Sequence, residues 1–119
     1  MTTTAEALEV MAVVAACHHR TAPRMDDREA TIAIATIWAE LFTAYQLDTA
    51  DLIAAVKKRA LTQPIAPEPA DIIQFARDIR RDRRQRETTA ERQAREDARD
   101  AELYARNQAK LAGIAADLS

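Results

Sequence analysis

The sequence predicts an all-α protein, a small four-helix N-terminal bundle followed by a long, charged, Ala-rich C-terminal helical arm. Three observations lead there. Hydrophobic residues make up 48% of the chain, many of them Ala, while aromatics reach only 4% and there is a single Gly. That mix favours helix and argues against a sandwich or barrel. Apolar residues recur at steps of three and four in four successive segments, the spacing that lines one face of a helix. At 119 residues the chain has room for one real core but not for a second independent one, so residues 1–80 are expected to form the bundle and 81–119 the arm.

The first helix is expected at roughly residues 4–18. Thr3 and Glu6 make a capping box, and Leu8, Met11, Val14 and Ala15 form a narrow apolar stripe. Pro23 falls in the loop that follows. Around the second helix the core is expected to assemble, because the stretch from Asp26 to Tyr45 holds the only Trp. Its start is expected at Asp26 as N-cap, with Glu29 as capping-box partner. Ala30, Ala33, Ile34, Ile37, Trp38, Leu41, Phe42 and Tyr45 share one wide face, so this reads as the central helix with neighbours on more than one side. Asp48 marks a third start, with Leu52, Ile53, Ala55 and Val56 facing inward and Lys57, Lys58 and Arg59 near the C-terminal end, where positive charge suits the helix dipole.

Pro64, Pro67 and Pro69 hold the next connection extended. Pro69 suits the first turn of a fourth helix with Ile72, Phe75, Ala76 and Ile79 buried. Continued past Ile79, the same face reaches Arg83 and Arg86, so the helix is expected to run on into solvent. Thr88 with Glu91 resembles another capping box and predicts a break near 87–89, with one continuous helix as the alternative. Beyond it Ala90, Ala94, Ala98, Ala101, Ala105, Ala109, Ala112 and Ala116 form a shallow stripe flanked by Tyr104, Leu111, Ala115 and Leu118. Alanine buries little area, so such a stripe suits close approach to a second copy or a partner protein.

Little catalytic chemistry can be read from the chain. It has no glycine-rich phosphate loop and no nucleophile motif, and an enzyme is not expected. Cys17-His18-His19 is read as a helix end and its loop, since no second ligand pair at zinc spacing exists. Asp78 with Asp82, and Asp97 with Asp100, lie in charged segments where solvated ion pairs are the usual explanation. Neither a metal nor a cofactor is expected. There is no run of about 18 apolar residues and no cleavable leader pattern, so a membrane partner is not expected and a cytoplasmic location is, the host cytoplasm if the chain is phage-encoded.

Charge supplies the most informative local feature. Net charge is −2 overall, yet six of the ten residues from Arg77 to Arg86 are Arg: Arg77, Arg80, Arg81, Arg83, Arg84 and Arg86. On a helix they make a cationic rod suited to phosphates or to acidic protein surface, against the alternative of a solvated face with Asp78 and Asp82 as intrahelical partners. These six, with Tyr104, Leu111 and Leu118, are the candidate partner- or nucleic-acid-binding residues.

With these elements in order, the first 80 or so residues resemble the small helicase-loader and helicase-inhibitor proteins of bacteriophage replication modules. The resemblance rests on a short first helix, Trp38 with Leu41, Ala54-Ala55-Val56 in the third helix, the proline-led Pro67-Glu68-Pro69-Ala70-Asp71-Ile72-Ile73, and Arg80-Arg81 after it. It implies a helical N-terminal domain joined to a C-terminal segment that contacts a replicative hexameric helicase, without an ATPase of its own. The long Ala-rich arm departs from the family, and no contact residue is carried over. Two other readings remain: a DNA-binding accessory protein, small-terminase-like or origin-binding, that uses the Arg77–Arg86 helix, and a helical inhibitor of a host protein whose arm mediates self-association.

Overall fold

The structure, a computed structural model, describes residues 1–118 and the side chains of residues 1–115. Four helices follow in order: α1 Thr4–Cys17, α2 Arg28–Thr43, α3 Thr49–Ala60 and α4 Pro69–Leu118. Two compact units emerge, residues 1–82 and the helix from Arg83 on.

In the first unit the end of α2 meets α4 through Arg77 and Arg80, and α1 packs against both α2 and α3. The reason lies in side-chain size. Ala7, Val10 and Val14 are fully buried and Met11 nearly so, and their small volumes let two neighbours approach one helix closely. The buried face of α1 is thus set by Ala7, Val10, Met11 and Val14, with Leu8 only packed at its edge. Its start is fixed as expected, with the Thr3 hydroxyl accepting from Glu6 N at 3.1 Å and the Glu6 carboxylate accepting from Thr3 N at 3.1 Å.

Hydrogen bonds between elements give the helix directions. Thr2 N donates to Thr43 Oγ1 at 3.1 Å, so the start of α1 lies at the end of α2 and the two run antiparallel. The Thr49 hydroxyl donates to Glu6 at one end, and His18 Nδ1 lies 3.3 Å from the Pro64 carbonyl at the other, so α1 and α3 run parallel. Thr21 Oγ1 accepts from Ala66 N at 2.8 Å near the start of α4, whereas Arg80 reaches the end of α2. The first turns of α4 therefore run with α2 and against α1 and α3. Ile72 and Ala76 enter the core fully buried, with Phe75 and Ile79 packed against it. Phe42, Leu52, Ile72, Val10, Val14 and Val56 are its largest fully buried side chains, each contributing about 1.5–3 kcal/mol of transfer free energy.

Helix α2 begins one residue later than the sequence indicates. Asp27, not Asp26, is the N-cap, accepting from Ala30 N at 3.1 Å through Oδ1. Its buried face is Thr31, Ala35, Trp38, Ala39 and Phe42, with Trp38 and Phe42 edge-to-face at 6.0 Å. Five of the eight residues of the expected apolar stripe are turned outward: Ala30, Ala33, Ile37, Leu41 and Tyr45 are exposed.

In the second unit the helix continues through Thr88 and Thr89. Their hydroxyls donate back to the Arg84 and Gln85 carbonyls at 2.9 Å each and so are not capping a new helix start. The expected break near 87–89 is absent and the continuous alternative holds.

Candidate functional site

Of the arginines in the first unit, Arg80 is committed to the fold. Its Nη1 donates to the Tyr45 carbonyl at 2.9 Å and the Gln46 carbonyl at 3.3 Å, satisfying acceptors that the end of α2 leaves open. Gln46 has φ 52°, the left-handed conformation that commonly ends a helix, here without the glycine that usually supplies it. Arg77 lies over the Tyr45 ring with its guanidinium carbon 4.9 Å from the centroid, within cation–π range. Arg81 pairs with Asp78 at 3.1 Å. Tyr45, Ile73, Arg77, Asp78 and Arg81 are among the walls of an open groove of 380 Å³ with mixed polar and apolar lining.

In the second unit Arg83 sits 4.0 Å from Glu87. Arg84 and Arg86 project into solvent. Every residue from Arg84 to Ala115 is exposed, including Leu103, Tyr104, Leu111 and Ile114. The expected site residues Tyr104 and Leu111 are therefore accessible, and Leu118 lies outside the residues whose side chains are described. Arg92, Arg95 and Arg99 form with Glu96 a further charged groove that the sequence reading passed over, although their spacing places them on one side of the helix.

The largest addition to the site is the outward face of α2. Ile37 is 53% exposed, Leu41 44% and Tyr45 45%. Ala33, Ile34, Ile37 and Trp38 line an open, almost wholly apolar groove of 330 Å³. A signal for this was present: an apolar stripe eight residues strong is wider than one neighbour covers, so its i, i+4 ridge 33, 37, 41, 45 was available to face outward.

The remaining candidates resolve by geometry. His18 is buried, with Nδ1 donating to Pro64, while Cys17 and His19 are exposed, so these three side chains do not converge. Asp97 accepts from Gln93 Nε2 at 3.0 Å and Asp78 is held by Arg81. The hydrogen bond from Thr49, then those from Thr3, hold the Glu6 carboxyl below the usual range. Among the described residues no helix is long and apolar enough to cross a membrane. Comparison with protein-family models, curated proteins and solved structures finds no match to this chain.

Proposed function

We propose that this chain is a phage replication accessory protein that binds a replicative hexameric helicase as a loader or inhibitor, acting stoichiometrically, without turnover, metal or cofactor, in the host cytoplasm. One observation carries the binding role: from Arg84 to Ala115 no side chain is buried, yet large apolar groups recur along that helix. A helix that covers nothing recovers its ordering entropy only when something covers it. The helicase as the target rests on the resemblance of Trp38, Leu41, the proline-led start of α4 and Arg80-Arg81 to the loader and inhibitor family. On this reading residues 4–79 close as a four-helix bundle, supported by the alternating helix directions and by Ile72 and Ala76 in the core.

The arginine geometry favours a protein partner over DNA. Arg77, Arg80, Arg81 and Arg83 each already engage a ring, carbonyls or a carboxylate of this chain, so a phosphate ligand would have to displace those contacts or rely on Arg84 and Arg86. The test is binding of the full chain to a purified hexameric helicase, and separately to duplex DNA, across a salt series. Helicase binding that survives moderate salt, and is lost on truncation after Arg86 while the melting temperature holds, supports the proposal. DNA binding that falls steeply with salt, with no helicase binding, would replace it by the DNA-binding reading.

A further inference from the structure

We propose that the groove between Tyr45 and the first turns of α4 is a binding site for a carboxylate carried beside an aliphatic side chain, as an acidic peptide segment presents it. Resting on the protein-binding reading above, this site specifies the chemistry that a partner's contact segment would carry. The groove offers 380 Å³, enough for a ligand of about two residues. Ile73, Gln74, Arg77, Asp78 and Arg81 line it from α4, and Tyr45 lines it from the end of α2. All of it lies within the first unit.

Arg77 carries the assignment. Its guanidinium lies over the Tyr45 ring, 4.9 Å from the centroid, a contact that uses the charge of the group and none of its N–H donors. Among the described residues those donors meet no carboxylate or carbonyl. The ring itself is fixed, because Arg80 donates to the Tyr45 and Gln46 carbonyls. One arginine thus pins the turn, the ring beside that turn positions a second arginine, and the second presents a fork held ready for a carboxylate. Gln74, exposed and one turn earlier on α4, adds an amide with no partner among the described residues. The rest of the lining selects the oxyanion. Ala70 and Ile73 supply apolar surface beside the fork, with Ile73 packed against the core. Asp78, paired with Arg81 at 3.1 Å, opposes a second negative charge, so a carboxylate is preferred to a phosphate group carrying about −1.5 to −2. A single carboxylate approaching in the guanidinium plane leaves Arg77 on the ring, whereas a row of backbone phosphates needs Arg80, Arg81 and Arg83 released as well.

Nuclear magnetic resonance titrations of the full-length chain, following backbone amides and arginine Nε–H groups, test this with four probes at one pH and ionic strength. These are N-acetyl-leucine, with a terminal carboxylate; N-acetyl-Leu-Glu-amide, with a side-chain carboxylate; N-acetyl-Leu-Gln-amide, with neither; and sodium phosphate. At least one of the two acids should shift the Arg77 Nε–H and the Tyr45 amide saturably, binding about tenfold or more tighter than the glutamine peptide and phosphate. The tighter acid identifies which carboxylate is read. Arg77→Lys, which keeps the charge and loses the fork, should weaken that binding by about tenfold. Tyr45→Leu, which leaves the arginine but removes its ring, should weaken it severalfold, while Arg84→Lys should not change it. Arg77 and Tyr45 are both exposed, so the spectrum away from the groove should stay as in wild type. The proposal is overturned if neither acid perturbs the groove, if phosphate binds as tightly as the acids, or if Arg77→Lys and Tyr45→Leu both bind like wild type. Helicase binding, measured separately, distinguishes the two levels. Acid binding without helicase binding keeps the site and rejects the helicase as target, and helicase binding without acid binding does the reverse.

Discussion

Helices α1 and α2 divide the work of the core in an unexpected way. Helix α2 holds the Trp and a Phe, with Tyr45 just past its end, and has an apolar face wide enough for two neighbours, yet it buries only one side. The smaller α1, built on Ala7, Val10, Met11 and Val14, packs against both α2 and α3. The difference teaches that bulk marks where transfer free energy is concentrated, whereas small side chains mark where backbones converge. A helix can therefore pack closely on two neighbours because its side chains are modest.

The strongest way to break that contrast is to place one charge on each helix. Val10→Asp should leave the chain unfolded at room temperature by circular dichroism, since an unpaired buried carboxylate costs several kcal/mol against a marginal total. Ile37→Asp on the outer side of α2 should shift stability by only about 0.5 kcal/mol. Equal damage from the two would refute the contrast between the buried face of α1 and the outward side of α2. Next in size, Trp38→Ala should cost about 3–5 kcal/mol in a denaturant titration, because the ring is buried against Phe42. A loss under about 1 kcal/mol would move Trp38 from the core to the outward side of α2.

Two smaller effects sharpen the picture at the helix ends. Gln46→Gly should raise stability by about 0.5–1 kcal/mol, since φ 52° strains a residue with a Cβ and not a glycine. Retention of the Arg80 contacts would show as an undiminished gain when the same change is made beside Arg80→Lys. The smallest effect is acid dependence. Glu6 has a lowered carboxyl pKa through Thr49 and Thr3, so its contribution is fully present above the ordinary glutamate range and is lost as pH falls through the lowered folded-state value. Glu6→Gln should therefore remove part of the acid sensitivity of the melting temperature while lowering stability slightly at neutral pH.

Much of the fold was legible because the signals were local. Thr3 with Glu6, Pro69 in the first turn and the buried series Ile72, Ala76 can be read within one or two turns of chain. What could not be read depended on partners distant in sequence. Which side of α2 is covered is decided by the helices packed on it, and the role of Arg80 is decided by the carbonyls of Tyr45 and Gln46, some 35 residues away. A run of arginines looks the same whether it meets phosphate, carboxylate or the end of a neighbouring helix. Thr88 illustrates a subtler limit: a threonine three residues before a glutamate reads as a helix start, but inside a helix its hydroxyl has a nearer acceptor one turn back.

That pair of threonines also shapes how the long helix yields. Thr88 and Thr89 are adjacent, β-branched, exposed and both bonded back onto the preceding turn. Each such bond adds a second claim on a carbonyl that already serves the helix ladder, and tends to open the ladder on that side. Two in succession create a local soft spot with no tertiary packing to compensate for it. Amide hydrogen exchange is expected to be fastest, within the interior of the helix, at this turn. The arginine-rich segment before it and the Ala-rich segment after it can then exchange as separate cooperative stretches of one continuous α-helix.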